Sequence, residues 1–492
     1  MKSLTTACIL LLAAAATATA EEVPLYSEPY RPQYHFTPAH RWIGDPCGTI
    51  RYNGRYMAYS WGAAESPDLL HWKELNHMAI KNLPDGTSAF TGSVAIDREG
   101  TSGHGKNAWV AAFTSYDEAS RKQSQSIAFS RDSGLTFHYY DLNPVIDIWS
   151  TEFRDPTVIR HEPSGQWVML VAKALEKKVA FYRSTNLTDW EHTSDFGPMG
   201  DSERSWECPD LFRLPVDGDS TRMKWVLVVS VNWAREQYFT GEFDGVSFTP
   251  DSTCTVPRYV DHGLDYYASR VFQDYDCPDG PVHTIGWLNT WDYAQQAPMA
   301  FGKGIWSIPR RYTLRSTPGE GLRLCQQPAE VLGQIRQKPW KANMRLTPGV
   351  RQLPEIGRMD NTYELEAEFD IRDNSPFGMN LCEGADGRKV TLQYDPASQT
   401  LLLDRTNSTD AIIPGFDRMT HVKVSPDAGG RLRVHIFVDH STMEIFVNDG
   451  HTTMSLLTYA GTSQTGASLF SLGSATRGNF TAWPLKPVVG GK

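Results

Sequence analysis

Past its first twenty residues, this 492-residue chain has no uninterrupted apolar run long enough to span a bilayer, so a bundle of membrane helices is excluded and no membrane partner is expected. Positive charge is short as well. Lys and Arg number 47 against 57 Asp and Glu, giving a formal net charge of −10, or −11 without Lys2. That balance disfavours nucleic acid and anionic surfaces as partners, but raises no objection to a neutral substrate such as a sugar. The 14 histidines include no His-Glu-x-x-His and the cysteines no Cys-x-x-Cys, so no metal site is expected. A G-x-S-x-G elbow, a phosphate loop and a dinucleotide fingerprint are all missing, and no cofactor is expected. Helical periodicity is nearly absent too, which points to an all-β chain.

Cysteine is sparse. Of seven, Cys8 falls in the leader, leaving Cys47, Cys208, Cys254, Cys277, Cys325 and Cys382. Six cysteines allow fifteen complete pairings and nothing in the sequence chooses among them. Cys47 and Cys208 stand inside acidic motifs and are expected to be free.

The leader itself is the first positive signal. Lys2, the apolar stretch from Ala7 to Ala16 and the small residues Ala18-Thr19-Ala20 read as a secretory signal peptide over residues 1–20, too short for a membrane span. A retained anchor is the alternative. Extracellular localisation follows, and the sequons at Asn186, Asn407 and Asn479 become candidate glycosylation sites on the surface.

The mature chain carries one recurrent pattern. Trp42-Ile43-Gly44-Asp45-Pro46-Cys47-Gly48, Phe153-Arg154-Asp155-Pro156 and Trp206-Glu207-Cys208-Pro209 each put an acid one or two residues before a proline. The residue preceding a proline is pushed towards extended backbone, and a short strand-like apolar run follows each motif. Between them run short strands and turns. Ser66-Pro67-Asp68-Leu69-Leu70-His71-Trp72 and Ser184-Thr185-Asn186-Leu187-Thr188-Asp189-Trp190 share serine, leucine and tryptophan at identical spacing, and Ser130 to Phe137 is a looser copy. Strand-built repeats of this length suggest a propeller. Innermost strands beginning near Asp45, Thr91, Asp155, Cys208 and Tyr266 are spaced as one four-stranded blade each, so residues 21–326 are read as a five-bladed β-propeller. In such a ring Asp45, Asp155 and Glu207 face one another across a central funnel.

Residues 327–337 read as a linker with helical character. From 338 to 492 the alternation becomes strict, as in Tyr363, Leu365, Ala367, Phe369 and Ile371, which fits the half-buried antiparallel strands of a β-sandwich. This second domain is read as structural, with carbohydrate contact as the lesser alternative.

Two carboxylates across a glycosidic bond suffice for retaining glycoside hydrolysis, one as nucleophile and one as acid, then base. A third can hold sugar hydroxyls, Arg154 can fork onto hydroxyls or carboxylates, and Trp42, Phe90, Trp206 and Trp291 can stack on a sugar face. Each residue also has a plainer reading: an isolated Asp-Pro is more often a turn, single tryptophans are more often core, and Arg154 alone is an ion-pair partner. The joint occurrence at blade-like spacing favours catalysis.

With these motifs in view, the chain resembles glycoside hydrolase family 32, the invertase, inulinase, levanase and fructosyltransferase family. Trp42 to Gly48 is similar to the family's Trp-Met-Asn-Asp-Pro-Asn-Gly block. Arg154-Asp155-Pro156 matches its Arg-Asp-Pro and Glu207-Cys208 its Glu-Cys. Gln123 to Phe129 with Asn143-Pro144-Val145, Asp265 to Ser269, Ser307 to Arg310, and Val438 to Ser441 with Glu444-Ile445-Phe446 also follow the pattern. The resemblance implies a five-bladed propeller followed by a sandwich. It makes Asp45 the nucleophile, Asp155 the transition-state stabiliser and Glu207 the acid/base, with Trp42, Gly44, Phe90, Thr91, Arg154, Cys208 and Trp291 as substrate contacts. The expected activity is a secreted β-fructofuranosidase acting on sucrose or on fructans such as inulin and levan. Gly44 and Cys47 depart from the family, as each replaces an asparagine; Phe90-Thr91 also replaces a Trp-Ser pair. The Trp-Ile-Gly-Asp-Pro-Cys version resembles certain fungal fructosyltransferases, so transfer of fructose to a sugar is the rival reading. An arabinose- or xylose-cleaving propeller and a non-catalytic sugar-binding propeller stand further off.

Overall fold

The computed structural model describes residues 24–83, 86–473 and 475–489; the expected signal peptide lies outside them. Strands dominate. Among the described residues the helical elements are the four-residue helix Pro354–Gly357 and three 3-10 turns.

In the N-terminal part, antiparallel strands follow one another in chain order. One sheet runs Gly48–Tyr52, Arg55–Ser60, Gly62–Ser66 and Lys73–Met78. The next runs Ser88–Asp97, Ala108–Tyr116, Gln123–Ser130 and His138–Tyr139, and a third Phe153–His161, Gln166–Lys173, Lys178–Ser184 and Glu191–Phe196. An eight-stranded sheet combines two such groups, Trp206–Val216 to Phe248–Pro250 and Tyr267–Val271 to Gly321–Pro328, joined by one parallel pairing of Val216 with Leu314. The first strand also pairs in parallel with Gln273–Asp274 near the end of this region. Apolar side chains from neighbouring sheets mesh in shared clusters, such as Ile50, Met57, Val94, Trp109 and Phe113.

The serine-tryptophan repeats form matching turns between the third and fourth strands of their sheets. The hydroxyls of Ser66, Ser130 and Ser184 bond Asp68, Asp132 and Asn186. Trp72 and Trp190 donate from Nε1 to the carbonyls of Leu69 and Leu187, at 2.8 and 2.9 Å. Asn186 is therefore engaged in its own turn, whereas Asn407 and Asn479 are exposed.

Residues 327–337 were expected to form a linker. The strand Gly321–Pro328 continues two residues into it, and its helical part is the 3-10 turn Glu330–Ile335. Beyond it, two six-stranded sheets pack over one core that includes Leu365, Phe369, Met379, Leu392, Ile436 and Phe480. Alternation explains strands such as Val390–Asp395, but Thr442–Val447 and Thr452–Leu457 are buried on both faces. Glu364 points away from that core yet is fully buried, because Arg336 and His435 cover its carboxylate. The six cysteines of the described residues are all free.

The two parts of the chain share a polar interface without solvent access. His35 bonds Asp439 at 2.8 Å and Glu444 at 2.9 Å through its two ring nitrogens. Arg310 reaches Glu444 and Asp261, and Arg405 reaches Asp265. Gly450 makes close approach feasible. At φ +80° it accepts from the Gln326 N–H, and a Cβ there would run into the Gln326 carbonyl.

Burial opposes the charged imidazole of His35, but Asp439 and Glu444 outweigh it and push its pKa from 6.5 up to about 9. A group raised on folding contributes stability below its unfolded value and loses it as pH rises through the folded one, here between 6.5 and about 9. His35→Gln is therefore expected to cost about 3 kcal/mol near pH 6. Its deficit against the wild type in denaturant melts should shrink towards pH 9.5; a gap independent of pH would contradict the assignment.

Candidate active site

Four strands carry the same irregularity near their N-terminal ends. The antiparallel register shifts between Ala89 and Gly92, Arg154 and Thr157, Glu207 and Asp210, and Tyr267 and Arg270. Such bulges re-aim side chains next to functional sites. In three of them one residue is left-handed: Asp155 at φ +64°, Cys208 at +48° and Ala268 at +52°. Each of these residues donates its N–H to a side chain of the preceding strand group: Asp155 to Thr114 Oγ1 (2.9 Å), Cys208 to Asp155 Oδ2 (3.1 Å) and Ala268 to Ser230 Oγ (3.1 Å).

Further bonds tie the inner strands together where no ladder exists. Ser93 Oγ accepts from Val158 N–H, Thr157 Oγ1 donates to the Pro209 carbonyl, Asp210 Oδ2 accepts from Val271 N–H, and Thr49 Oγ1 donates to the Val271 carbonyl. Asp45 precedes its strand rather than lying in it. Its loop is braced by the segment at 302–306: Ile43 N–H donates to Lys303 O, and Trp306 Nε1 donates to Gly44 O at 2.9 Å. Gly304, at φ +119°, leaves room for the Ile43 carbonyl.

The result is one cavity of about 790 Å³ lined by Asp45, Asp155 and Glu207 together. Asp45 Oδ2 accepts from Thr91 Oγ1 at 2.8 Å and lies 3.6 Å from Cys208 Sγ, while its Oδ1 has no hydrogen-bond partner among the described residues. Burial and the charge of Asp155 raise the Asp45 pKa, the Thr91 hydroxyl opposes them, and the outcome is about 7. Glu207 is held differently. Arg154 forks onto Oε1 from Nε (2.9 Å) and Nη2 (2.8 Å), and the Tyr267 hydroxyl donates to Oε2. Burial raises the Glu207 carboxyl above its ordinary range, with Arg154 pulling down and Asp155 pushing up. Burial and the Glu207 charge keep Tyr267 protonated, so it serves as a donor. Arg154 is itself anchored by Glu152 and Gln123.

Of the residues expected to touch substrate, Trp42, Gly44, Phe90, Thr91, Arg154 and Trp291 line this cavity. Cys208 does not: at 1% exposure it lies behind the acids, because its left-handed backbone turns the N–H and the thiol towards Asp155. Trp206 is likewise no platform. It is fully buried among Phe196 and Phe239 and donates to the Asp201 carbonyl. The exposed rings lining it are Trp291, stacked on Trp42 at 6.1 Å, Phe90, stacked on Tyr116 at 4.5 Å, and Trp233. Gly44 adjoins Trp42 closely, since a Cβ there would stand 3.2 Å from the indole nitrogen.

Sequence reading gave no role to Arg270, and quoted Tyr267 only within a motif. Arg270 is buried against Thr157 and the Pro209 carbonyl, and its charge opposes the rise in the Asp45 and Asp210 pKa values. A cation inside an otherwise apolar strand, Tyr267-Ala268-Ser269-Arg270-Val271, was the available signal. The other acid-histidine cluster, Glu364, Glu366 and His435, has its carboxylates engaged by Arg336.

Family models for the N-terminal and C-terminal domains of glycosyl hydrolases family 32 match residues 35–328 and 332–484. The chain belongs to glycosyl hydrolase family 32. A levanase of Bacillus subtilis is 34% identical over 98% of this chain and 74% of its own length. An extracellular exo-inulinase of Aspergillus ficuum is 35% identical over 92% of this chain and 93% of its own. The crystal structure of exo-inulinase from Aspergillus awamori superposes with a TM-score of 0.87 at 32% identity, covering 94% of this chain and 99% of that one. This family 32 chain is thus a glycoside hydrolase with an all-β fold.

Thr91→Val removes the hydroxyl that donates to Asp45 while keeping its volume, so the Asp45 carboxyl should titrate above its value of about 7, by roughly half to one unit. Carboxyl carbon resonances of labelled aspartate followed against pH check this; an unchanged or lower midpoint would contradict it.

Proposed function

We propose that the chain is a secreted retaining β-fructofuranosidase that releases terminal fructose from sucrose or from fructans such as inulin and levan. Asp45 attacks the anomeric carbon and forms a fructosyl-enzyme while Glu207 protonates the departing oxygen; Glu207 then activates water to open the intermediate. Asp155 and Arg154 hold fructosyl hydroxyls, and Trp42, Phe90 and Trp291 offer ring faces. The observation that carries this reading is the contrast between two acids of one cavity. Glu207 is gripped on both oxygens by Arg154 and Tyr267, whereas Asp45 keeps one oxygen without a protein partner. A fixed carboxyl suits an acid/base that acts twice; an oxygen with no bond to break suits a nucleophile. Both carboxyls are raised above their ordinary range, so the pair is expected to share one proton at mildly acidic pH.

The N-terminal region is read as a five-bladed propeller over residues 21–326, followed after residues 327–337 by a sandwich over 338–492. Five antiparallel groups of strands support the count. The bonds between successive inner strands and the parallel pairing of Ile50 with Gln273 support closure. Secretion is supported by the leader and by the extracellular relative.

Asp45→Ala and Glu207→Ala are each expected to lower turnover of sucrose by about 10²–10⁴-fold or more, with the thermal midpoint shifting little. Loss of the folded state in both would favour a structural role. Chromatography of products from concentrated sucrose separates hydrolysis from transfer. Equal glucose and fructose is the expected outcome; kestose-type oligosaccharides would assign transfer instead.

A further inference from the structure

The second domain reaches the cavity wall. Trp291, 41% exposed on that wall, lies in the loop 288–297, and the two residues after it are each held by an arginine from the other domain. Arg418 Nη1 donates to Asp292 Oδ2 at 2.7 Å. Arg405 Nη2 donates to the Tyr293 hydroxyl at 2.6 Å, and that hydroxyl donates in turn to Asp265. Arg405 is fully buried: it bonds Asp265 directly, donates to the Phe416 and Leu457 carbonyls at 2.9 and 3.1 Å, and lies 3.8 Å over the Phe416 ring. On its N-terminal side the loop is tied within the first domain, since Trp291 N–H and Thr290 Oγ1 both donate to the Trp233 carbonyl. Trp291 therefore sits between ties to its own domain, through Trp233, Trp42 and the Tyr293–Asp265 bond, and two arginines of the other.

An exposed ring on a loop is a useful stacking surface only if its plane is held; otherwise each binding event bears the cost of ordering it. We propose that Arg405 and Arg418 are positioning residues for substrate binding, fixing through Tyr293 and Asp292 the loop that presents Trp291 to the sugar. The second domain then contributes to affinity without touching substrate. This rests on the reading of the cavity as a fructoside site.

Arg418 is 40% exposed and pairs across the surface, so Arg418→Ala removes the anchor without emptying a core. Tyr293→Phe unfastens the loop from Arg405, and from Asp265, without deleting a charge. Each is expected to raise KM for sucrose roughly three- to tenfold with kcat within about twofold, the pattern of lost binding rather than lost chemistry. Arg418→Lys, which keeps a cation for Asp292, should restore KM. Arg388→Ala, which breaks an exposed ion pair with Asp386 elsewhere in the second domain, should leave KM unchanged. An unchanged KM in Arg418→Ala and Tyr293→Phe, a fall in kcat with melting midpoint in place of the KM rise, or no recovery in Arg418→Lys would overturn the proposal while the functional reading stands. A wild type that releases no fructose would defeat both.

Discussion

At the head of three inner strands, one residue leaves the ladder and turns left-handed. Left-handed backbone costs a side-chain-bearing residue about 1–3 kcal/mol, and Asp155, Cys208 and Ala268 all adopt it. Each N–H freed by the bulge is taken up by a side chain from the preceding group of strands: Thr114, Asp155 and Ser230. The strain is thereby coupled to the packing of neighbouring sheets, which cannot drift apart without orphaning a buried donor. Asp155 takes part twice, as a strained residue and as acceptor for the next one. The same turn of backbone that fastens the groups together delivers Arg154, Asp155 and Glu207 to one cavity.

Electrostatics completes what the backbone begins. Three carboxylates around one floor repel, and burial raises the Asp45 and Glu207 carboxyls further. Arg154 and the Tyr267 hydroxyl hold Glu207, Thr91 holds Asp45, and Arg270 supplies a buried positive charge below. These partners differ in kind, so the two acids are not equivalent. One has a cation and a phenol, and the other a hydroxyl, a thiol at 3.6 Å and an oxygen without a partner. That inequality is what a double displacement requires.

Much of this was readable in advance, for identifiable reasons. Turn chemistry is local, so the self-similar segments at Ser66 and Ser184, read as signs of repetition, close with the same serine and tryptophan bonds. The residues before Pro156 and Pro209 were expected to be extended, yet Asp155 and Cys208 are left-handed at φ +64° and +48°, because the bulge turns their N–H groups onto Thr114 and Asp155. Strict alternation announced the sheets beyond residue 338. Alternation tells which face a side chain takes, however, and not what meets it there. It therefore missed the burial of Glu364 under Arg336, whereas the plainer reading of Trp206 as core agrees with its full burial. Arg270, Arg405 and Arg418 escaped notice because their partners lie far away in sequence, Arg418 and Asp292 being brought together only when the domains dock. Cys208 was read as a contact because it adjoins Glu207; the bulge sends neighbours to opposite sides of the acid cluster.

The central claim is that Asp45, though it stands before its strand and far in sequence from Glu207, is the atom donor for a covalent intermediate. Glu207→Ala lacks the base that opens this intermediate, so a fructosyl donor with a leaving group needing no protonation, such as fructosyl fluoride, should let it accumulate. Rapid acid quenching and peptide mapping by mass spectrometry then locate the sugar. The account predicts a fructosyl adduct on the peptide containing Asp45. An adduct on the Asp155 peptide, or fluoride release with no adduct at any time point, would contradict it.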